Sequence, residues 1–264
     1  MSVAISLKGK NALVTGGGAG MGKCTAMMLA EAGANVFVAD IKEDLAKAVA
    51  EEIANTYGVK TGYCKCDVSK KAEVENMVAE TVKAFGRLDI CDHIGGVFTD
   101  MDFMTAGEEE FDIMFDVNTK GTFLVDQACV KAMAPNHSGK IVNMCSQTGK
   151  WGFPTNVAYT GSKFGVHGLT CSIAQYCCTH NYNINVNCVC PGIVKTNIWT
   201  RVIDKMNAEG KDGEAYFESR LQDIPLKRAQ TMEDIAHMFL YLSSDWADNM
   251  TGQSINITGG KIMD

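Results

Sequence analysis

Residues 15–22 read Thr15-Gly16-Gly17-Gly18-Ala19-Gly20-Met21-Gly22. The apolar run Ala12-Leu13-Val14 leads into them, and an amphipathic stretch from Lys23 to Ala32 leads away. A strand that enters a glycine turn and leaves as a helix constrains the fold more than any other feature of the chain. Glycine permits the tight turn and lets backbone approach a ligand closely, while the free N–H groups of a first helical turn attract negative charge. Tight turns use glycine anyway, so the turn alone says little. Asp40 gives it meaning, because it closes the next apolar run, Asn35-Val36-Phe37-Val38-Ala39. A carboxylate there can bind both hydroxyls of an adenosine ribose. The pattern predicts a dinucleotide site in which Gly16, Gly18, Gly20, Met21 and Gly22 cradle the pyrophosphate, with Asp40 and Ile41 at the ribose.

The rest of the chain alternates in the same way. Strand-like segments fall at 11–15, 35–39, 60–66, 88–94, 139–145, 184–190 and 253–257, and helix-like segments at 20–32, 42–56, 70–85, 108–133, 157–180 and 232–244. Strands that alternate with helices imply right-handed crossovers. The expected fold is therefore α/β: a single-domain Rossmann fold over residues 1–264, with a doubly wound seven-stranded parallel sheet and helices on both faces. Residues 194–227 break the rhythm. They are polar, follow Pro191, and are expected to form a substrate lid beyond a strand's C-terminal end.

Composition narrows the function. A net charge of −7 and the lack of a basic run argue against nucleic acid. No apolar stretch is long enough for a membrane span, and Met1 to Lys10 contain no apolar signal core. The expectation is a soluble cytoplasmic protein. Its eleven cysteines show no zinc-type C-x-x-C spacing, so they are read as free, reduced thiols. Cys64/Cys66 and Cys188/Cys190 alternate along strands as small core residues.

Tyr159 and Lys163 lie four apart on an expected helix and share a face. A cation within reach stabilises a phenolate and lowers the tyrosine pKa, which suits proton transfer at an alcohol carbon. The alternative is a core tyrosine and a solvated lysine. The surroundings decide between them. Ser146 ends a strand, Asn118 lies in the long helix, and Asp67-Val68 follow the third strand. Pro191-Gly192 with Thr196, and Gly252 with Gly259-Gly260, complete a set of motifs in order. From about residue 7 to 260 the chain resembles the short-chain dehydrogenase/reductase family.

The resemblance implies roles. Tyr159 is the general acid/base, Ser146 orients the substrate oxygen, Lys163 holds the nicotinamide ribose and lowers the Tyr159 pKa, and Asn118 positions a water in a proton relay. Asp67 and Val68 would meet the adenine. Gly95 and Gly96 keep the close backbone approach after the fourth strand, and Pro191, Gly192, Ile193 and Thr196 lie at the nicotinamide. A carboxylate at Asp40, with no cation at Ile41, repels a 2′-phosphate and favours NAD over NADP. One departure stands out. The family's usual Asn-Asn-Ala-Gly is replaced by His93-Ile94-Gly95-Gly96, preceded by Asp92. His93 then either makes the structural hydrogen bonds of the missing asparagine or adds a titratable group near the cofactor.

For substrate, the strings from Ser146 to Gly152 and from Cys190 to Trp199 resemble the branch of acetoin reductases and meso-2,3-butanediol dehydrogenases, with similar strings in polyol dehydrogenases. Val97, Phe98, Gln147, Lys150, Trp151, Phe153, Ile198, Trp199, Val202 and Met206 are pocket candidates. Gln147 is placed to meet a second substrate oxygen, and the two tryptophans to narrow and dry the site. The expected reaction interconverts a secondary alcohol and a ketone, on a small vicinal diol, hydroxyketone or polyol. A hydroxysteroid or bile-acid substrate is the alternative, and a non-catalytic NAD-binding sensor or scaffold the alternative of another class. Family members are homotetramers or homodimers that pack helices 108–133 and 157–180. Leu169, Ile173, Phe123 and Val130 are their apolar candidates here, and the C-terminal Lys261 to Asp264 reach toward a neighbouring subunit.

Overall fold

Along β2 (Asn35–Asp40) the side chains alternate between two cores. Val36 and Val38 join Leu29, Ile53 and Phe239 on one face, while Phe37 and Ala39 join Val74, Met77 and Leu88 on the other. A strand with both faces buried belongs inside a sheet covered by helices on each side. The computed structural model shows that arrangement. It describes residues 4–99, 101–154 and 156–263, without the side chains of Asn197 and Ile198, so the Ile198 side chain and Asp264 fall outside what is described.

Seven parallel strands run in the order β3-β2-β1-β4-β5-β6-β7: β1 (Asn11–Thr15), β2, β3 (Thr61–Lys65), β4 (Ile90–His93), β5 (Gly139–Met144), β6 (Ile184–Pro191) and β7 (Ser254–Ile257). The order reverses between β1 and β4, which opens a crevice beyond the strands' C-terminal ends. Helices α1 (Gly20–Glu31), α2 (Glu43–Tyr57) and α3 (Lys71–Phe85) follow the first three strands as expected.

Two regions differ from expectation. The single helix 108–133 is interrupted: α4 (Glu108–Met114) passes through a π-helical turn, Phe115–Lys120, into α5 (Gly121–Met133). Residues 194–227 are also more regular than polarity implied. After α6 (Val157–Thr179) and β6 come α7 (Asn197–Ala208) and α8 (Gly213–Gln222), and then α9 (Met232–Leu242). Ile203, Phe217, Leu221 and Ile224 give α7 and α8 a small core of their own, with Ile193.

The unusual end of β4 is absorbed structurally. Asp92 is fully buried, and its Oδ1 accepts a hydrogen bond from Ser243 Oγ at 2.8 Å. Burial pushes its carboxyl up to about 8. His93 Nδ1 meets Thr15 Oγ1 at 2.7 Å, and Thr15 Oγ1 also accepts the Gly95 N–H at 3.2 Å. Burial, then the Lys163 charge, pushes His93 down to about 3, so it stays neutral and ties β4 to β1. Among the described residues no helix is long and apolar enough to cross a membrane.

Candidate active site

The crevice begins where β1 meets its glycine turn. Gly16 has φ +63°, and a Cβ there would lie 2.8 Å from the Gly95 backbone. The turn and the loop after β4 touch, and only glycine fits both demands. Asp40 reaches back over this turn. Its Oδ2 accepts the Gly18 N–H at 3.0 Å and its Oδ1 accepts the Lys42 N–H at 3.0 Å. Lys42 is the N-cap of α2 and Ile41 is exposed, and among the described residues no cation forms an ion pair with the carboxylate. Helix α1 starts at Ala19 without a side-chain cap, which leaves its first N–H groups open to a ligand.

Two cavities meet here. One of about 300 Å³ runs from Gly16, Asp40 and Ile41 past Asp67 and Val68 to Gly95 and Gly96. The other, about 700 Å³, extends over Gly20 and Met21 to Gly96 and Thr196. Bare backbone, an open helix end and a carboxylate at one extremity fit a dinucleotide: Asp40 at a ribose, the glycine turn at the pyrophosphate, Gly96 and Thr196 toward the other nucleoside.

Beyond that end, β5 delivers Ser146 and α6 delivers Tyr159 and Lys163. Ser146 caps the short turn Gln147–Gly149, its Oγ accepting the Thr148 N–H at 3.2 Å. Its hydroxyl faces that of Tyr159, close enough to hold the phenol down against burial. Lys163 lies one turn after Tyr159, buried, with Nζ donating to the Met144 carbonyl at 2.8 Å and 5.7 Å from the Tyr159 ring centre. Phe98 packs edge-on against the Tyr159 ring at 5.2 Å. A core tyrosine and a solvated lysine are therefore not what the chain builds. The tyrosine pKa, however, moves opposite to the sequence expectation. Burial pushes Tyr159 up to about 12, and the Ser146 hydrogen bond only partly offsets this. Burial also lowers the Lys163 ammonium.

The π-turn explains Asn118. The extra residue in the turn carries its amide against the loop after β4, where Oδ1 accepts the Val97 N–H at 2.9 Å and Nδ2 donates to the Val97 carbonyl and to Ser162 Oγ, both at 3.0 Å. Its backbone carbonyl accepts the Thr122 hydroxyl at 2.7 Å. Asn118 Oδ1 and Lys163 Nζ both border Gly96, whose missing side chain leaves the space between them open.

Other residues fall less neatly. Pro191 ends β6, the Gly192 N–H donates to the Ile257 carbonyl at 2.9 Å, and Thr196 caps α7. The Gln147 amide approaches Gly192 from the Ser146 side. Asp67 Oδ1 is engaged by Ser69, from both its N–H at 2.9 Å and its hydroxyl at 2.7 Å. The two tryptophans do not close the site as expected. Trp151 is 62% exposed, and Trp199 turns into the α7–α8 core, 5.1 Å from the Phe217 ring. Phe153 is half-buried. Val130 belongs to the core, while Phe123 stands exposed.

A dinucleotide crevice ending at a hydroxyl pair beside a buried lysine defines a nicotinamide-dependent oxidoreductase. A family model described as enoyl-(acyl carrier protein) reductase matches residues 16–261. An oxidoreductase of Thermotoga maritima is 38% identical over 97% of this chain and 98% of its own. The 3-oxoacyl-(acyl-carrier-protein) reductase FabG of Staphylococcus epidermidis is 37% identical over 96% and 99%. A crystal structure of a short-chain type dehydrogenase/reductase from Mycobacterium marinum superposes with a TM-score of 0.87 at 33% identity, covering 98% of both chains. The chain belongs to the short-chain dehydrogenase/reductase family.

Proposed function

We propose that the chain is an NAD(H)-dependent alcohol dehydrogenase and ketoreductase that interconverts a secondary alcohol and a ketone, with small vicinal diols, hydroxyketones or polyols as substrates. The observation that carries this reading is the Ser146–Tyr159 hydroxyl pair with Lys163 buried one turn away. The substrate oxygen sits between the two hydroxyls. Ser146 fixes its position. Tyr159 takes the proton from an alcohol, or gives it to a forming alkoxide, through its hydroxyl. Lys163 holds the ribose hydroxyls and keeps positive charge beside the phenolate, and Asn118 holds the π-turn and the loop after β4 around the relay. When bound, the nicotinamide accepts or supplies the hydride. Helices α7 and α8 cover the substrate as the lid.

Asp40 supports NAD. A carboxylate at the ribose would repel a 2′-phosphate, and among the described residues no cation is ion-paired with Asp40. Asp40→Asn keeps an acceptor for the Gly18 N–H but loses the charge on the ribose. NAD affinity is expected to fall ~10-fold or more, as for a charge-assisted hydrogen bond, while the preference against NADP shrinks. Calorimetric titration of both cofactors checks this, and an unchanged ratio would remove Asp40 from cofactor choice.

Gln147 supports the small oxygenated substrate, since it directly follows Ser146, its amide oxygen comes near Gly192, and an amide can serve either a hydroxyl or a carbonyl. A second reading rests on FabG, a relative named for reducing a 3-oxoacyl thioester. The test is cofactor absorbance against meso-2,3-butanediol, acetoin, sorbitol, galactitol, bile acids and an acetoacetyl thioester, with NAD(H) and NADP(H) in parallel. Turnover of small diols or polyols is expected. Turnover of the thioester alone, or of bile acids alone, would replace the substrate class. Cofactor binding without turnover of any substrate would favour a sensor or scaffold. Exposed Phe111, Ile113, Phe123 and Phe164 on α4–α6 support a homotetramer or homodimer packed through these helices.

A further inference from the structure

Three thiols converge behind Ser146. Cys188 and Cys190 alternate along β6, so both face α6 while Val189 faces the opposite core. Cys145 extends β5 by one residue. Because Met144 is level with Val189, Cys145 is level with Cys190 on the neighbouring strand. All three are buried, and their Sγ atoms lie within 4.8 Å of one another. The surroundings are closed. Val166 packs against them from α6, and the turn at Gly149 covers Cys145 so tightly that a side chain there would overlap its sulfur.

We propose that Cys145, Cys188 and Cys190 form a binding site for one thiophilic divalent cation of the zinc class. Three observations carry this. A Zn(II) ion with ~2.3 Å bonds to sulfur holds tetrahedral sulfurs ~3.8 Å apart, so the thiols need contract by no more than ~1 Å. Oxygen for a fourth position is at hand: Ser254 Oγ is 3.1 Å from the Cys188 sulfur, and the Lys163 carbonyl is 3.4 Å from that of Cys145. Charge also fits. Three thiolates around a divalent ion carry one negative charge, and the Lys163 ammonium, bonded to the Met144 carbonyl next to Cys145, carries the balancing one. Binding replaces three S–H bonds with three metal–sulfur bonds and releases three protons to solvent, with no change of oxidation state. A histidine or carboxylate is absent from the set among the described residues, so selectivity falls to soft metals.

The test is titration of the reduced full-length chain with Cd(II), followed by its sulfur-to-cadmium charge-transfer absorbance. One equivalent is expected, with the intensity of three thiolates. Cys188→Ser and Cys190→Ser are each expected to weaken binding at least ~10-fold, by analogy with lost metal-site partners. The control Cys64→Ser/Cys178→Ser, which removes accessible thiols, is expected to leave it unchanged. No band in the wild-type chain, or a band that survives both cluster variants, overturns the proposal. Should those variants misfold, alkylation of the wild-type chain decides. Cd(II) must slow labelling of Cys145, Cys188 and Cys190 together, and protection elsewhere alone counts against the site.

Discussion

Tyr159→Phe is expected to lower turnover by about 10²–10⁴-fold, the range that a positioned acid/base contributes, while cofactor affinity stays within experimental error of wild type. The substitution is structurally small. The ring keeps its edge-on contact with Phe98, and only the hydroxyl that faces Ser146 is lost. Steady-state turnover together with a fluorescence titration of the reduced cofactor separates the two effects. Turnover close to wild type would mean that another group moves the proton, and the Ser146–Tyr159 reading would fail. Weakened cofactor binding would instead show that the hydroxyl supports the crevice. The pH profile gives an independent check. Burial holds the phenol near 12 before cofactor binds, so the base form needed for alcohol oxidation is scarce and grows with pH. Alcohol oxidation is therefore expected to rise toward alkaline pH, with ketone reduction favoured at neutral pH where Tyr159 carries its proton.

Much of this site was legible because strand ends and helix starts are local. The glycine turn, Asp40 and the Tyr159/Lys163 pair each sit on one element, and short-range patterns predict one element well. What failed depended on neighbours. The π-turn at Phe115–Lys120 inserts one extra residue into a helix whose apolar pattern reads as continuous, so nothing in the periodicity marks it. Residues 194–227 broke the rhythm of the sequence because α7 and α8 bury only a few residues each, among them Ile203, Phe217 and Leu221. Trp199 was expected in the pocket, but the α7–α8 core it packs into is invisible until α8 exists. The Tyr159 pKa moved upward because burial, which a sequence does not display, outweighs the lowering by Ser146. The thiol cluster shows the same limit. Cys188 and Cys190 read correctly as one face of a strand, but Cys145 arrives from the next strand, and cysteine spacing along the chain cannot register that.

Asp92 carries the second large effect, on stability. Its carboxyl is raised from an ordinary 3.8 to about 8 because it is fully buried with one oxygen bonded to Ser243 and the other unpartnered. The folded chain therefore keeps this proton where the unfolded chain has lost it. The stabilisation is complete below pH 3.8 and is lost as pH rises toward about 8. Each pH unit in that window costs about 1.4 kcal/mol, so ionisation of the unfolded chain alone can remove about 6 kcal/mol by the top of the range. Asp126, buried against Asn143 and raised to about 7, adds to the same slope. In Asp92→Asn the Ser243 hydroxyl still finds an oxygen, while the new NH₂ lies buried without a partner, at about 1–3 kcal/mol at every pH. Near pH 5 that cost is comparable with the wild-type loss, so melting temperatures should be similar or lower in the variant. At pH 8 the wild type has lost more, and the variant should melt higher by several degrees, since ~1 kcal/mol corresponds to ~2–4 °C for a chain of this size. The two curves of melting temperature against pH should cross. Parallel curves would mean that Asp92 is ionised in the folded chain, and β4 would then hold a buried charge that Ser243 alone does not balance.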